Sequence, residues 1–78
     1  MEPTVVLKDL GLVCALISKG HQVQETHREP DGHIDFVFSN SQGLQENIKA
    51  YWADTLVVKA RTYSENLKML KSRVYSER

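Results

Sequence analysis

The segment Ile34-Asp35-Phe36-Val37-Phe38 constrains the fold of this chain more than any other stretch. Its large apolar residues alternate, so in an extended strand Ile34, Phe36 and Phe38 project from one face, while the two residues between them project from the other. Alternating β-branched and aromatic residues are typical of a strand. We therefore expect a strand whose three-residue apolar ridge forms the centre of the core.

Length and composition bound the class of protein. The chain has 78 residues, of which 41% are hydrophobic and 26% are charged, and this predicts a single soluble domain over 1–78. The single cysteine, Cys14, excludes an internal disulfide and a cysteine-based metal site. Neither a secretory signal nor an apolar run of about 20 residues is found. We expect a cytoplasmic protein that does not enter a membrane.

The other segments predict helices and strands in alternation. Apolar residues at helical spacing indicate three helices, over 8–19, 40–53 and 60–74. Short apolar or alternating runs indicate three further strands, over 4–7, 21–27 and 56–58. The resulting order, βαββαβα, predicts an α+β fold with a small antiparallel or mixed sheet of three to four strands. It is ferredoxin-like in outline, with an extra C-terminal helix.

A tight turn is predicted immediately before the ridge. Pro and Gly in Glu29-Pro30-Asp31-Gly32 suit a type I turn that ends in a left-handed glycine. In that register Glu29 faces His33, and His27 pairs with Asp35. Val23 then falls on the face opposite to the ridge, so the first strand of the hairpin is polar on both sides, as suits an edge strand.

Residues spread over nearly the whole chain carry a resemblance to a known family. They are Lys8-Asp9-Leu10, Ala15-Leu16, Lys19-Gly20, Phe36-Val37-Phe38, Tyr51, Val57-Val58-Lys59-Ala60, Tyr63, Leu70-Lys71 and Val74-Tyr75. By these residues the chain resembles a small family of uncharacterised bacterial and phage proteins, classed as a domain of unknown function. Leu7 stands where that pattern has a threonine cap. The resemblance implies the architecture and a phage-related context, and it carries no activity to transfer.

The last predicted helix has an apolar seam. Tyr63, Leu67, Leu70 and Val74 follow Ala60 at spacings of 3, 4, 3 and 4, which is a heptad pattern over two repeats. Such a seam suits self-association or binding to a protein partner, and it equally suits completion of the monomer's own core. We expect a binding domain that acts through this helix, with a protein partner or a second copy.

Charge is distributed unevenly and suggests an alternative. Residues 1–58 contain four Lys/Arg and eight Asp/Glu, whereas residues 59–78 contain six and two, so the net charge changes from −4 to +4. The basic residues of the last predicted helix are Arg61, Lys68, Lys71 and Arg73, with Lys59 and Arg78 beside them. They are candidates for nucleic-acid binding. A pI near 6.8 argues against nucleic-acid binding, because domains that bind nucleic acid are typically basic. A basic helix face is also often only a solvated surface.

Catalytic and metal-binding patterns are absent from the sequence. His21, His27 and His33 are six residues apart, without a short His-x-His or HExxH motif, so we predict no metal site. Cys14 falls on the apolar stripe of its helix, where a thiol is inert. No nucleophile motif or phosphate-binding loop is found. We expect a protein without catalytic activity, cofactor or small-molecule substrate.

Overall fold

The computed structural model describes residues 3–76, which form three strands and three helices. They are β1 (Thr4–Leu7), α1 (Leu10–Ser18), β2 (Val23–Arg28), β3 (Ile34–Ser39), α2 (Leu44–Trp52) and α3 (Ala60–Ser76). The α+β class and the additional C-terminal helix are confirmed. No helix of this part of the chain has the length and apolar character needed to cross a bilayer.

β3 is the central strand of an antiparallel sheet with the order β1-β3-β2. β1 pairs with β3 so that Leu7 lies opposite Phe36, and β2 pairs with the other edge of β3. The shortest dimension of the molecule is 18 Å, which accommodates one sheet and one layer of helices. The helices therefore cover one face of the sheet, and we call the other face, on which Asp35 and Val37 of β3 are only 9% and 6% exposed, the open sheet face.

The predicted ridge is buried as expected. Ile34, Phe36 and Phe38 are 7%, 3% and 0% exposed. They form one core with helical side chains that are themselves buried, namely Leu12, Val13, Cys14, Leu16, Leu44 and Leu70. Because the core draws on all three helices, none of them is an independent unit.

The predicted hairpin register is confirmed near the turn. Glu29 N donates to His33 O at 2.7 Å, and His27 lies opposite Asp35. Gly32 has a φ of 95°, a left-handed conformation that glycine adopts without strain.

The same strand departs from the prediction further out, because a β-bulge lies between Val23 and Glu25. The bulge inserts one residue and reverses the alternation beyond it. Val23 consequently lies opposite Phe38 and packs against the core. Its predicted position on the open sheet face is wrong.

The predicted fourth strand at 56–58 does not form, so within the described residues the sheet has three strands and is ferredoxin-like only in part. After α2 the chain reverses at Asp54, whose φ is 61°. Thr55 N and Leu56 N both donate to Ala50 O. Residues 53–56 are thus held against the end of α2, whereas Val57 is 77% exposed.

The first two helices begin later than predicted. Asp9 precedes α1 as its N-cap, and its Oδ1 accepts a hydrogen bond from Leu12 N at 3.0 Å. α2 begins after Gly43, which has a φ of 86°, rather than at Asn40 or Ser41.

Candidate functional site

The apolar seam of α3 faces the interior of the molecule. Leu70 is 2% exposed, and Tyr63, Leu67 and Val74 are half-buried against the same core. Cys14 Sγ donates to the main-chain oxygen of Tyr63 at 3.2 Å, which ties α3 to α1. The seam therefore completes the core of the monomer, one of the two roles that the sequence left open.

Outside the buried seam, α3 carries a row of exposed cations, which we call the basic stripe: Arg61, Lys68 and Lys71. Spacings of seven and three residues place them on one side of the helix, and all three are exposed. Arg61 Nε lies 3.7 Å from Glu65 Oε2, a surface pair in which the Arg61 side chain is 91% exposed. The structure thus brings three of the predicted cations together.

The remaining predicted cations lie elsewhere. Arg73 is exposed, but it lines a groove between α3 and β2 with Met69 and Val23. Lys59 precedes the helix, and Arg78 lies outside the described residues. The basic stripe therefore contains Arg61, Lys68 and Lys71 only.

The open sheet face is acidic, with Glu25 and Asp35 on neighbouring strands. Lys8 Nζ lies 3.1 Å from Asp35 Oδ1, while no well-aligned hydrogen bond reaches this oxygen within residues 3–76, so the contact is an ion pair. The neighbouring side chain of Glu29, and after it the ammonium group of Lys8, lowers the pKa of Asp35. The Asp35 carboxylate raises the pKa of Glu29. Carboxylates therefore lie on the open sheet face, one of them paired with Lys8, whereas the basic stripe lies on α3.

The histidines of the hairpin are paired with carboxylates. His27 Nε2 lies 2.9 Å from Glu25 Oε1, and His33 Nδ1 lies 2.8 Å from Asp31 Oδ2. In the described ranges no three His, Cys, Asp or Glu side chains come close enough together to hold a metal ion. The hairpin thus provides two separate exposed pairs.

A concavity that sequence reasoning missed lies between α1, the end of α2 and the start of α3. Its volume is about 340 Å³, and we call it the tyrosine cavity. The lining residues are Ala15, Tyr51, Asp54, Leu56, Val58 and Tyr63. Helical periodicity placed Tyr63 on the apolar seam of α3, so the sequence predicted no cavity beside it. The available signal was Gly11, a glycine within a helical pattern, which indicates a close approach of another group.

The chain matches a family model over residues 2–76, and this model is described as a domain of unknown function (DUF5659). No match is found among curated proteins or among solved structures. The family match covers every strand and helix described above, and it assigns no activity to the basic stripe or to the tyrosine cavity. The chain therefore belongs to the family of the domain of unknown function DUF5659.

Proposed function

We propose that the protein is a non-catalytic binding domain of the cytoplasm that contacts nucleic acid through the basic stripe. The observation that supports this proposal is the exposure of Arg61, Lys68 and Lys71 on one side of α3, with the carboxylates on the open sheet face. Segregated charge lets a protein of zero net charge present one basic surface to phosphates. A bacterial or phage origin, which the resemblance implies, fits this role.

The burial of the seam favours this ligand over self-association. A dimer built through Tyr63, Leu67 and Leu70 requires these side chains to leave the core of the monomer. Removing a buried leucine from its contacts costs about 2–5 kcal/mol, and Leu70 is 2% exposed. Binding of a ligand to the exposed basic stripe requires no such rearrangement of the core.

The absence of catalysis is supported by the state of the single thiol. Cys14 is 0% exposed, and burial raises the pKa of its thiol. A thiolate is the reactive form of cysteine, so both effects suppress its nucleophilicity.

The stripe supports weak, salt-dependent binding. Lys71 lies ten residues beyond Arg61, and ten residues of helix span about 15 Å. Three phosphate contacts give a slope of about −2.7 in log K against log salt. Affinity is then expected to fall about 40-fold between about 50 and 200 mM salt.

Titration of labelled duplex DNA, single-stranded DNA and RNA at those salt concentrations tests the proposal. Lys68→Glu should abolish binding at the lower concentration. Lys49→Glu, at an exposed position in the last turn of α2, is the matched control and should retain it. If none of the probes binds at low salt, or if both variants lose affinity equally, the proposal is wrong.

A second candidate is a protein partner at the groove beside Met69. This groove has a volume of about 310 Å³ and is lined in part by Ile17, Val23 and Phe36, and Met69 is 50% exposed. An apolar groove beside an edge strand suits a peptide or a second copy of the chain. Light scattering at tens of micromolar tests the second copy, and Met69→Glu should abolish any dimer. A strict monomer rejects the homodimer.

A further inference from the structure

We propose that the tyrosine cavity binds an alkylammonium group, supplied by a small amine or by a lysine side chain of a partner protein. The inference is independent of the basic stripe, which lies on the solvent side of α3. It depends on the oxygen atoms that converge beside the cavity, on the charge of its lining, and on its size.

Three side-chain oxygens meet at the first turn of α1. A Cβ atom placed on Gly11 would lie 2.7 Å from Tyr51 Oη, 3.3 Å from Asp9 Oδ1 and 3.5 Å from Tyr63 Oη. Two phenol hydroxyls and one carboxylate therefore converge on Gly11, and the two hydroxyls belong to residues that line the cavity. Asp9 Oδ1 already accepts a hydrogen bond from Leu12 N, whereas within residues 3–76 the contacts of Tyr51 and Tyr63 are made by a ring and a main-chain oxygen rather than by their hydroxyls. Both hydroxyls are consequently available to a ligand.

The charge around the cavity favours a cation. Asp54 is among the lining residues, and Asp9 lies beside both tyrosines, whereas none of the lining residues is a lysine, arginine or histidine. Burial raises the pKa of both tyrosines, and the charge of Asp9 adds to the increase. The phenols thus stay neutral at physiological pH, and the charge of the lining comes from the carboxylate of Asp54, with that of Asp9 beside the tyrosines.

The chemistry of an alkylammonium group matches these features. It has three donors, and phenol and carboxylate oxygens accept hydrogen bonds. Aromatic side chains attract a cation within about 6 Å of the ring. Leu56 and Val58 provide apolar contact for an alkyl stem. A volume of about 340 Å³ lies at the lower end of the range for ligand pockets, so the ligand is a small group.

Chemical-shift mapping with n-butylammonium, n-butanol and butyrate tests the proposal. We expect butylammonium to shift amides at Ala15, Leu56 and Val58, with binding at least about tenfold tighter than that of butanol, which lacks the charge. Butyrate should not bind. Equal affinity for butanol, or shifts away from the cavity, would overturn the proposal.

Conservative variants separate the site from the fold. Tyr51→Phe keeps the ring and should weaken butylammonium binding about tenfold, because one hydrogen bond to a charged group is lost. Asp9→Asn retains a residue that caps helices well, and Asp54→Asn retains one that tolerates a left-handed backbone. At least one of these two substitutions should weaken binding about fivefold or more, while Tyr75→Phe should leave it unchanged. Unchanged affinity in both asparagine variants contradicts a cation site.

A second set of probes distinguishes a free small amine from a lysine side chain of a partner protein as the source of the alkylammonium group. A lysine-containing peptide that binds more than about tenfold tighter than Nα-acetyl-lysine methylamide indicates a partner protein, because contacts beyond the side chain then contribute. Equal affinities indicate a free amine. No binding of either probe overturns the proposal.

Discussion

The guanidinium of Arg28 donates a hydrogen bond to the main-chain oxygen of Val74 at 3.1 Å, and so joins the end of β2 to the last turn of α3. The last four carbonyl groups of a helix have no partner within it, and a cation near them is favourable. The same side chain reaches Gly32 O at 3.4 Å. A residue of the hairpin therefore helps to terminate a helix 46 positions further along the chain.

Replacing Arg28 with glutamine should release the end of α3. We expect a loss of about 0.5–1 kcal/mol in the free energy of unfolding, because the helix end loses its cation. Urea denaturation measures this loss, and amide exchange in the last turn should accelerate. Arg61→Gln, on the exposed side of α3, is the control and should change neither quantity. Equal effects of the two variants would contradict the role of Arg28.

Leu70→Ala and Met69→Ala distinguish the two sides of α3. Leu70 is 2% exposed, so its truncation should cost about 2–5 kcal/mol through lost contacts and a residual cavity. Met69 is 50% exposed, and its truncation should cost no more than about 0.5 kcal/mol. Thermal and urea denaturation measure both values. Similar values for the two variants would show that the seam does not face the core.

The close approach at Gly11 predicts that Gly11→Ala changes stability in opposite directions in the native protein and in the Tyr51→Phe variant. Alanine is favoured over glycine within a helix by about 1 kcal/mol. Its Cβ, however, would lie 2.7 Å from Tyr51 Oη, and overpacking costs about 1–3 kcal/mol. Gly11→Ala should therefore destabilise the native protein and stabilise the Tyr51→Phe variant. Free energies of unfolding of the four proteins form the double-mutant cycle, and additive effects would exclude the contact.

The carboxyl pair on the open sheet face predicts a pH dependence of stability. The pKa of Asp35 is lowered in the folded protein. Its contribution to the free energy of unfolding is therefore fully present above its unfolded pKa of about 3.9, and it is lost as the pH falls through the folded pKa. The pKa of Glu29 is raised in the folded protein. Its contribution to the free energy of unfolding is therefore fully present below its unfolded pKa of about 4.3, and it is lost as the pH rises through the folded pKa. The two contributions therefore coexist only in a mildly acidic window.

Substitution of Asp35 with asparagine tests this coupling. The asparagine removes the carboxylate that raises the pKa of Glu29, so the pKa of Glu29 should fall toward its ordinary value. Titration of the side-chain carboxyl ¹³C signals by NMR measures it directly. A pKa of Glu29 that stays the same in the variant would show that the two groups are not coupled.

The local sequence predicted those features that depend on neighbouring residues. The turn before His33 and the pairing of His27 with Asp35 follow from Pro30 and Gly32, since a tight turn sets the first pairs of a hairpin. The buried ridge and the amphipathic α3 follow from periodicity. The bulge before Glu25 was not predictable in this way, because bringing Val23 onto Phe38 is favourable only once the helices cover that face.

Alternation, turn chemistry and helical spacing in the sequence thus determined the α+β class, the hairpin and the inward side of α3. Tertiary structure alone decided that Leu56–Val58 forms no strand, that Arg73 lines a groove apart from the other cations, and that Tyr51, Tyr63 and Asp9 meet at Gly11. The physical reason is distance along the chain. A contact between residues that are far apart depends on how whole elements pack, and no local pattern records it.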